Sequence, residues 1–153
     1  MNQKQSNKPS KNLMCPSADP TMEDPVIFGI VAGTPEQPQL HHLRETKQIP
    51  PELLALESPV KPTEIFRIAA NCDSGCQHFD GNNCRLSQRI VAGLPQVSET
   101  LPPCPIRANC RWWNQDGKEA CLRCLQIVRD NYVASEELYK AADPSIYKPQ
   151  LTA

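Results

Sequence analysis

The chain has 153 residues, a net charge of −1 and 16 prolines, ten of which fall before residue 63. A nearly neutral chain has no overall field that attracts nucleic acid or anionic lipid, and 39% apolar residues support only a modest hydrophobic core. The longest apolar run, Val26–Ala32, is far shorter than the ~20 residues that span a membrane. Because no signal peptide is apparent either, we expect a soluble, cytoplasmic protein.

The first 25 residues contain no aromatic side chain and predict a disordered tail. Residues 26–70 read as a proline-rich segment of strands and loops. Val26–Gly33 predicts a strand that ends at Gly33, and residues 41–49 predict a more exposed second strand, so the two make a β-hairpin-like segment. One or two helical turns are predicted at 50–56, and residues 63–69 fit either a strand or a short helix.

Residues 71–130 form a cysteine-rich module in which helices alternate with turns. The Asp80-Gly81-Asn82-Asn83 turn predicts a helix over 84–92, and Asp116-Gly117 predicts the start of another. Residues 131–153 are expected to hold a third short helix, Ser135–Ala142, and a tail. The fold class predicted is therefore a small, irregular α+β protein, in which a metal-stabilised module carries two or three short helices and follows the hairpin-like segment.

Seven of the eight cysteines lie within residues 72–124, and the eighth, Cys15, is predicted to be a lone thiol of the tail. A cytoplasmic chain keeps its thiols reduced, and an odd number of cysteines fits a closed set of disulfides poorly. The density of thiols favours metal binding over disulfides and over inert or redox-active thiols. The candidate ligands are Cys72, Cys76, Cys84, Cys104, Cys110, Cys121 and Cys124, with His78 as an additional candidate.

The ligands divide in more than one way. Cys121 and Cys124 lie one helical turn apart, so their sulfurs can point in the same direction. Cys104, Cys110, Cys121 and Cys124 can form one site, and a second can consist of Cys72, Cys76, Cys84 and His78. Alternatively, a single site can take ligands from both groups. The irregular spacings, together with Cys104-Pro105, favour one or two iron–sulfur clusters over zinc, whose structural sites more often use paired knuckles.

Basic and aromatic residues accompany the cysteines. Arg85, Arg111 and Arg123 each adjoin a cysteine, where they can offset thiolate charge or donate hydrogen bonds to sulfur. Trp112 and Trp113 follow Cys110-Arg111. If this segment is a strand, the two rings face opposite ways, so that one shields the metal site and the other is free to anchor a partner; simple core packing is the alternative.

These patterns favour a cytoplasmic, cysteine-ligated metalloprotein, an iron–sulfur protein, which transfers electrons or serves as an accessory subunit of a larger enzyme and is not an enzyme by itself. A protein partner is expected, and the strand Val26–Ala32 is a candidate for pairing with the partner's sheet edge. The first alternative is a zinc-stabilised interaction module. A thiol redox enzyme based on Cys121 and Cys124 lacks a βαβ context, and nucleic-acid binding fits poorly with 5% aromatic residues.

Overall fold

The computed structural model describes residues 13–34, 36–54, 61–72, 75–130 and 134–143. These residues form a small α+β fold with one four-stranded antiparallel sheet and six short helices. The strands are β1 (Met14–Cys15), β2 (Val26–Gly33), β3 (Pro38–Gln48) and β4 (Phe66–Asn71). The helices are α1 (Pro51–Leu54), α2 (Pro62–Ile65), α3 (Arg85–Gly93), α4 (Arg111–Asp116), α5 (Lys118–Cys124) and α6 (Glu136–Ala142), and a 3₁₀ turn spans Arg107–Asn109.

The two predicted N-terminal strands do pair as a hairpin, but their sheet is larger than a hairpin. Its strand order is β1-β4-β2-β3, with antiparallel pairing throughout. Strand β2 bonds to β3 on one side and to β4 on the other. The expectation that Val26–Ala32 pairs with a partner's sheet edge is therefore wrong for Val26–Ile30, where β3 and β4 occupy both edges.

Part of the predicted N-terminal tail belongs to the sheet. Met14 pairs with Asn71 and Cys15 with Ala70, and the Cys72 amide donates to the Leu13 carbonyl over 2.9 Å. The prediction of disorder is therefore wrong for residues 13–15, which bond to β4 and to Cys72. Residues 1–12 lie outside the described residues. Backbone pairing with β4 compensates for the low apolar content of this segment.

The helices follow the predicted pattern with two differences. Residues 63–69 contain both of the alternatives, since α2 ends at Ile65 and β4 begins at Phe66. Trp112 and Trp113 lie in helix α4 and not in a strand. Helices α3 and α6 are confirmed, and the Ser135 hydroxyl caps α6 by accepting from the Leu138 amide. No helix among the described residues is long and apolar enough to cross a membrane.

The main core lies between the sheet and the cysteine-rich helices. Phe28, Leu40 and Ala69 pack with Ile90 and Trp112 in a cluster that also contains three buried cysteines. Ile27 packs in a separate, smaller cluster, because successive side chains of a strand point to opposite faces of the sheet. Cys84, Cys110 and Cys124 are therefore part of the hydrophobic core.

The turn of the hairpin depends on Gly33. Its φ of +79° lies in the left-handed region, and a Cβ there would sit 2.6 Å from the Gln37 carbonyl oxygen. We expect Gly33→Ala to lower the free energy of unfolding by about 1 to 3 kcal/mol, the usual cost of such backbone strain. Urea denaturation measures it.

Gly93 provides the matched control for this prediction. It ends helix α3, and a Cβ there meets nothing within 4 Å. Gly93→Ala should be neutral or stabilising, by up to about 1 kcal/mol, since alanine favours the helix. Equal effects of the two substitutions would contradict the role given to the turn.

Candidate metal centre

Four cysteines from separate parts of the chain line one cavity of about 380 Å³. We call it the first site, and its cysteines are Cys15, Cys72, Cys76 and Cys84. Cys15 comes from β1, Cys72 directly follows β4, and Cys84 immediately precedes α3. Backbone amides point at two of the sulfurs, Ser17 N at Cys15 Sγ and His78 N at Cys76 Sγ, each over 3.4 Å. Such N–H···S contacts are typical of protein-bound thiolates in metal sites.

Cys15 is the residue that sequence reasoning missed. It was expected to be a lone thiol in the tail, and that expectation is wrong because β1 holds it beside the other three cysteines of the first site. With Cys15 included, the eight cysteines divide evenly between two sites. The only local signal was the apolar pair Leu13-Met14 before it, which is compatible with a short strand but does not predict one.

The loop between Cys76 and Cys84 is fixed by polar contacts. Asp80 accepts hydrogen bonds from the Asn82 and Asn83 amides at 2.9 and 2.8 Å and from Arg85 Nε at 3.0 Å. The two amides are the main reason that the pKa of Asp80 is lowered to about 2. This turn reverses the direction of the chain, so that Cys84 pairs with Phe79 in an antiparallel bridge. Cys84 then immediately precedes α3.

The other four cysteines line a second, much smaller cavity of about 20 Å³. We call it the second site, and its cysteines are Cys104, Cys110, Cys121 and Cys124. Cys110 precedes α4, and Cys121 and Cys124 lie one turn apart on α5, as their spacing predicts. Of the groupings that the sequence left open, the structure therefore keeps the last four cysteines together.

Burial strongly disfavours free thiolates at both sites. It is the main reason that the pKa of Cys15 is raised to about 12, and the neighbouring Cys84, Cys72 and Cys76 act in the same direction. Burial likewise raises the pKa of Cys110 to about 12, and nearby Cys124 and Cys104 add to the rise. At neutral pH Cys15 and Cys110 are therefore protonated unless a cation replaces the proton.

Unsatisfied hydrogen-bond donors surround both cavities. Arg111 and Trp112 line the first cavity, and Arg107 and Trp112 line the second. Among the described residues, the buried side-chain nitrogens without a hydrogen-bond partner are Arg107 Nε, Arg111 Nε, Arg111 Nη2 and Trp112 Nε1. Leaving a buried donor unpaired costs about 1 to 3 kcal/mol, and more when the donor is charged. All four donors belong to cavity-lining residues, so an acceptor that carries negative charge would satisfy them.

Arg67 supplies a buried positive charge beside the second site. Its side chain is 1% exposed and lies between the rings of Phe28 and Trp112, with the guanidinium carbon 5.2 and 5.8 Å from their centroids. Four of its hydrogen bonds go to carbonyls, two to that of Pro16 and one each to those of Cys124 and Ile127. Its Nη2 also lies 3.1 Å from Cys124 Sγ. A buried charge is costly unless it faces an opposite charge, and the nearest candidate here is the Cys124 sulfur.

His78 borders the first cavity but faces Arg89. Arg89 Nη2 lies 2.7 Å from His78 Nδ1, which must accept because a guanidinium only donates. Burial is the main reason that the pKa of His78 is lowered to about 4, so the ring is neutral and carries its proton on Nε2. In that form the imidazole has no lone pair left for a metal, and Cys15 occupies the place in the first site that was predicted for His78.

Only one of the three arginines predicted to assist the cysteines faces a cavity. Arg111 lines the first site and stacks on Phe79 at 5.1 Å. Arg85 pairs with Asp80 and Arg123 with Glu119, so both stabilise local structure. Trp112 is 1% exposed and adjoins both cavities, which fits the predicted shield, whereas Trp113 packs partly buried against Arg107.

Within the described residues, no group of three or more histidine, cysteine or acidic side chains is arranged to hold a single metal ion. A tetrahedral zinc site has Zn–S bonds of about 2.3 Å, which places its sulfurs about 3.8 Å apart. The thiols of each site therefore share a cavity without forming a ready ligand set for one zinc ion.

No protein-family model matches this chain, and no significant match was found among curated proteins or solved structures. The functional argument therefore depends on the chemistry of the two cysteine sites alone.

Proposed function

We propose that this chain is an iron–sulfur protein that binds one cluster at each cysteine site and transfers electrons, either as a carrier or as an accessory subunit of a larger enzyme. The observation that carries the proposal is the first site, where four thiols from distant parts of the sequence line one cavity of about 380 Å³. Four cysteines are the usual ligand set of two-iron and four-iron clusters.

The unpaired hydrogen-bond donors support a cluster as the group that these cavities bind. A cluster carries sulfide and thiolate sulfurs that accept hydrogen bonds, and such bonds are one of the protein's means of setting the reduction potential. Arg111 would direct its free N–H groups at a cluster in the first site and Arg107 at one in the second. The single N–H of Trp112 faces Cys84 and so would serve the first site. When bound, the cluster supplies one-electron chemistry. The protein holds it, excludes water from it and stabilises its negative charge.

The sizes of the two cavities favour a cluster more strongly at the first site. The second cavity has room for about one water molecule, so its thiols must turn outward before a cluster can enter. This small volume supports a second candidate function, in which the chain is an interaction module with structural zinc. Zinc would also require the thiols to move, because no group of side chains in the described part of the chain is arranged to hold a single ion.

Native mass spectrometry of protein purified without oxygen distinguishes the candidates. Two mass increments, each equal to an iron–sulfur cluster, are the result that the proposal predicts, together with a brown colour and broad absorption near ~400 nm. Colourless protein that carries zinc would establish the interaction module instead. Folded protein with neither iron nor zinc would contradict both.

A further inference from the structure

Three arginine side chains are buried among the described residues, and they differ in what they bond to. Arg67 donates to several carbonyls and lies beside the Cys124 sulfur. Arg89 donates to a backbone carbonyl over 2.7 Å and to a histidine ring. Arg111 is 7% exposed, yet its Nε and Nη2 have no hydrogen-bond acceptor in the described part of the chain. Because a buried charge is costly unless an opposite charge faces it, Arg111 indicates an anionic ligand.

The two unpaired nitrogens of Arg111 lie on one edge of the guanidinium. Nε and Nη2 each direct an N–H group the same way, and this parallel pair matches the two oxygens of a carboxylate or phosphate group. The central carbon of the guanidinium lies over the Phe79 ring, 5.1 Å from the ring centroid, and this contact holds the group in place. An oxyanion bound side-on is therefore the ligand group that fits these donors.

The first cavity, which Arg111 lines, has the size and the charge that such a ligand needs. Its volume of about 380 Å³ lies within the usual range of small-molecule pockets. The charged side chains among the described residues that line it are Arg111 and Arg129, and these residues include no carboxylate. Arg129 is partly offset by Asp19, 4.0 Å away, whereas the N–H of Trp112 already faces Cys84. Arg111 is therefore the donor left for a ligand.

The remainder of the cavity suits an apolar body. Met22, Phe79 and Leu86 line it together with Trp112, so two of these four side chains are aromatic. Gly75 is exposed and also lines the cavity, which therefore reaches the surface of the protein there. A molecule with an apolar ring and one oxyanion would place the ring among these side chains and the oxyanion against Arg111.

From these observations we infer that the first cavity, when it contains no metal, binds a small organic anion that carries an apolar ring and a carboxylate or phosphate group, and that Arg111 holds the oxyanion side-on. The binding is noncovalent. This inference does not depend on the proposed function. A cluster in the same cavity would use the same two donors, so the anion and the cluster exclude each other.

Isothermal titration calorimetry of the reduced full chain, freed of metal with a chelator, tests the inference. The probes are phenylacetate and phenyl phosphate, and phenylacetamide is the uncharged control of nearly equal shape. We expect at least one of the two anions to bind with one molecule per chain, at least about tenfold more tightly than phenylacetamide. The tighter of the two anions identifies the oxyanion. If neither anion binds, if phenylacetamide binds as tightly, or if the metal-free chain does not fold, the inference is wrong. None of these results bears on whether iron and sulfide are bound, which their direct analysis decides.

Substitutions of Arg111 test the side-on contact in the same titration. Arg111→Met should weaken binding of the anion at least about tenfold, whereas Arg111→Lys keeps the charge without the paired donors and should recover only part of the affinity. Arg44→Met removes an exposed arginine of β3 and should bind like the wild type. Wild-type affinity in Arg111→Met overturns the role of Arg111. If that variant does not fold, the lysine variant decides, since wild-type affinity there overturns the side-on contact.

Discussion

Cys15→Ser is expected to cost the anaerobically purified protein roughly half of its bound iron and sulfide, because a cluster ligated by four cysteines depends on each of them. Cys15 lies in β1 and shares the first cavity with Cys72, Cys76 and Cys84. Serine preserves the size of the side chain and the backbone pairing of β1, so the loss reports on the missing thiolate. Iron and acid-labile sulfide per chain are the quantities to measure.

The second site provides the matched control. Cys104→Ser should also remove about half of the iron, but from the other site, and the double variant should retain almost none. If Cys15 were only a thiol of a disordered tail, its replacement would leave the iron content at the wild-type value. That result, obtained beside a clear loss in Cys104→Ser, would remove Cys15 from the site.

Arg67→Met is expected to lower the free energy of unfolding of the metal-loaded protein by about 3 to 5 kcal/mol, the usual effect of removing one partner of a buried charge pair. The guanidinium bonds to the Pro16, Cys124 and Ile127 carbonyls, and methionine leaves all three without these donors. It also removes the positive charge beside Cys124 Sγ. Chemical denaturation under anaerobic conditions, with iron content measured alongside, gives the value.

Arg44→Met makes the same chemical change at an exposed position of β3, and we expect an effect within about 0.5 kcal/mol. Comparing the two variants separates the loss of stability due to the burial and charge of Arg67 from the loss that any arginine-to-methionine change would cause. If Arg67→Met were as stable as the wild type, the buried guanidinium would face no negative charge, and the second site would not hold an anionic centre.

Local sequence patterns were sufficient to predict the strands and helices whose formation depends on neighbouring residues. The apolar run before Gly33 predicted β2, the Asp80 turn predicted the helix that follows it, and a helix was predicted over Ser135–Ala142; the structure confirms all three. The segment before Cys72 was ambiguous because it contains both a proline-started helix and a strand. Spacing on α5 correctly predicted that Cys121 and Cys124 face the same cavity.

The features that the sequence could not predict depend on contacts between residues far apart in the chain. Cys15 reaches the first site through pairing with Ala70, 55 positions along the chain, and no local signal encodes that pairing. Arg67 lies within the apolar stretch from Ile65 to Ala70, where a lone charge indicates a buried partner but does not identify it. The partner, Cys124 Sγ, is likewise more than 50 positions away. Trp112 and Trp113 lie in helix α4 and not in the strand on which the prediction of opposite-facing rings depended.

Iron and acid-labile sulfide per chain, determined for wild-type protein that has been made and kept without oxygen, test the central claim most directly. We predict equal amounts of iron and sulfide, enough to fill both cysteine sites. A cooperatively folded protein that contains neither would contradict the account, because its eight thiols and the unpaired donors beside them would then serve the apolar core alone.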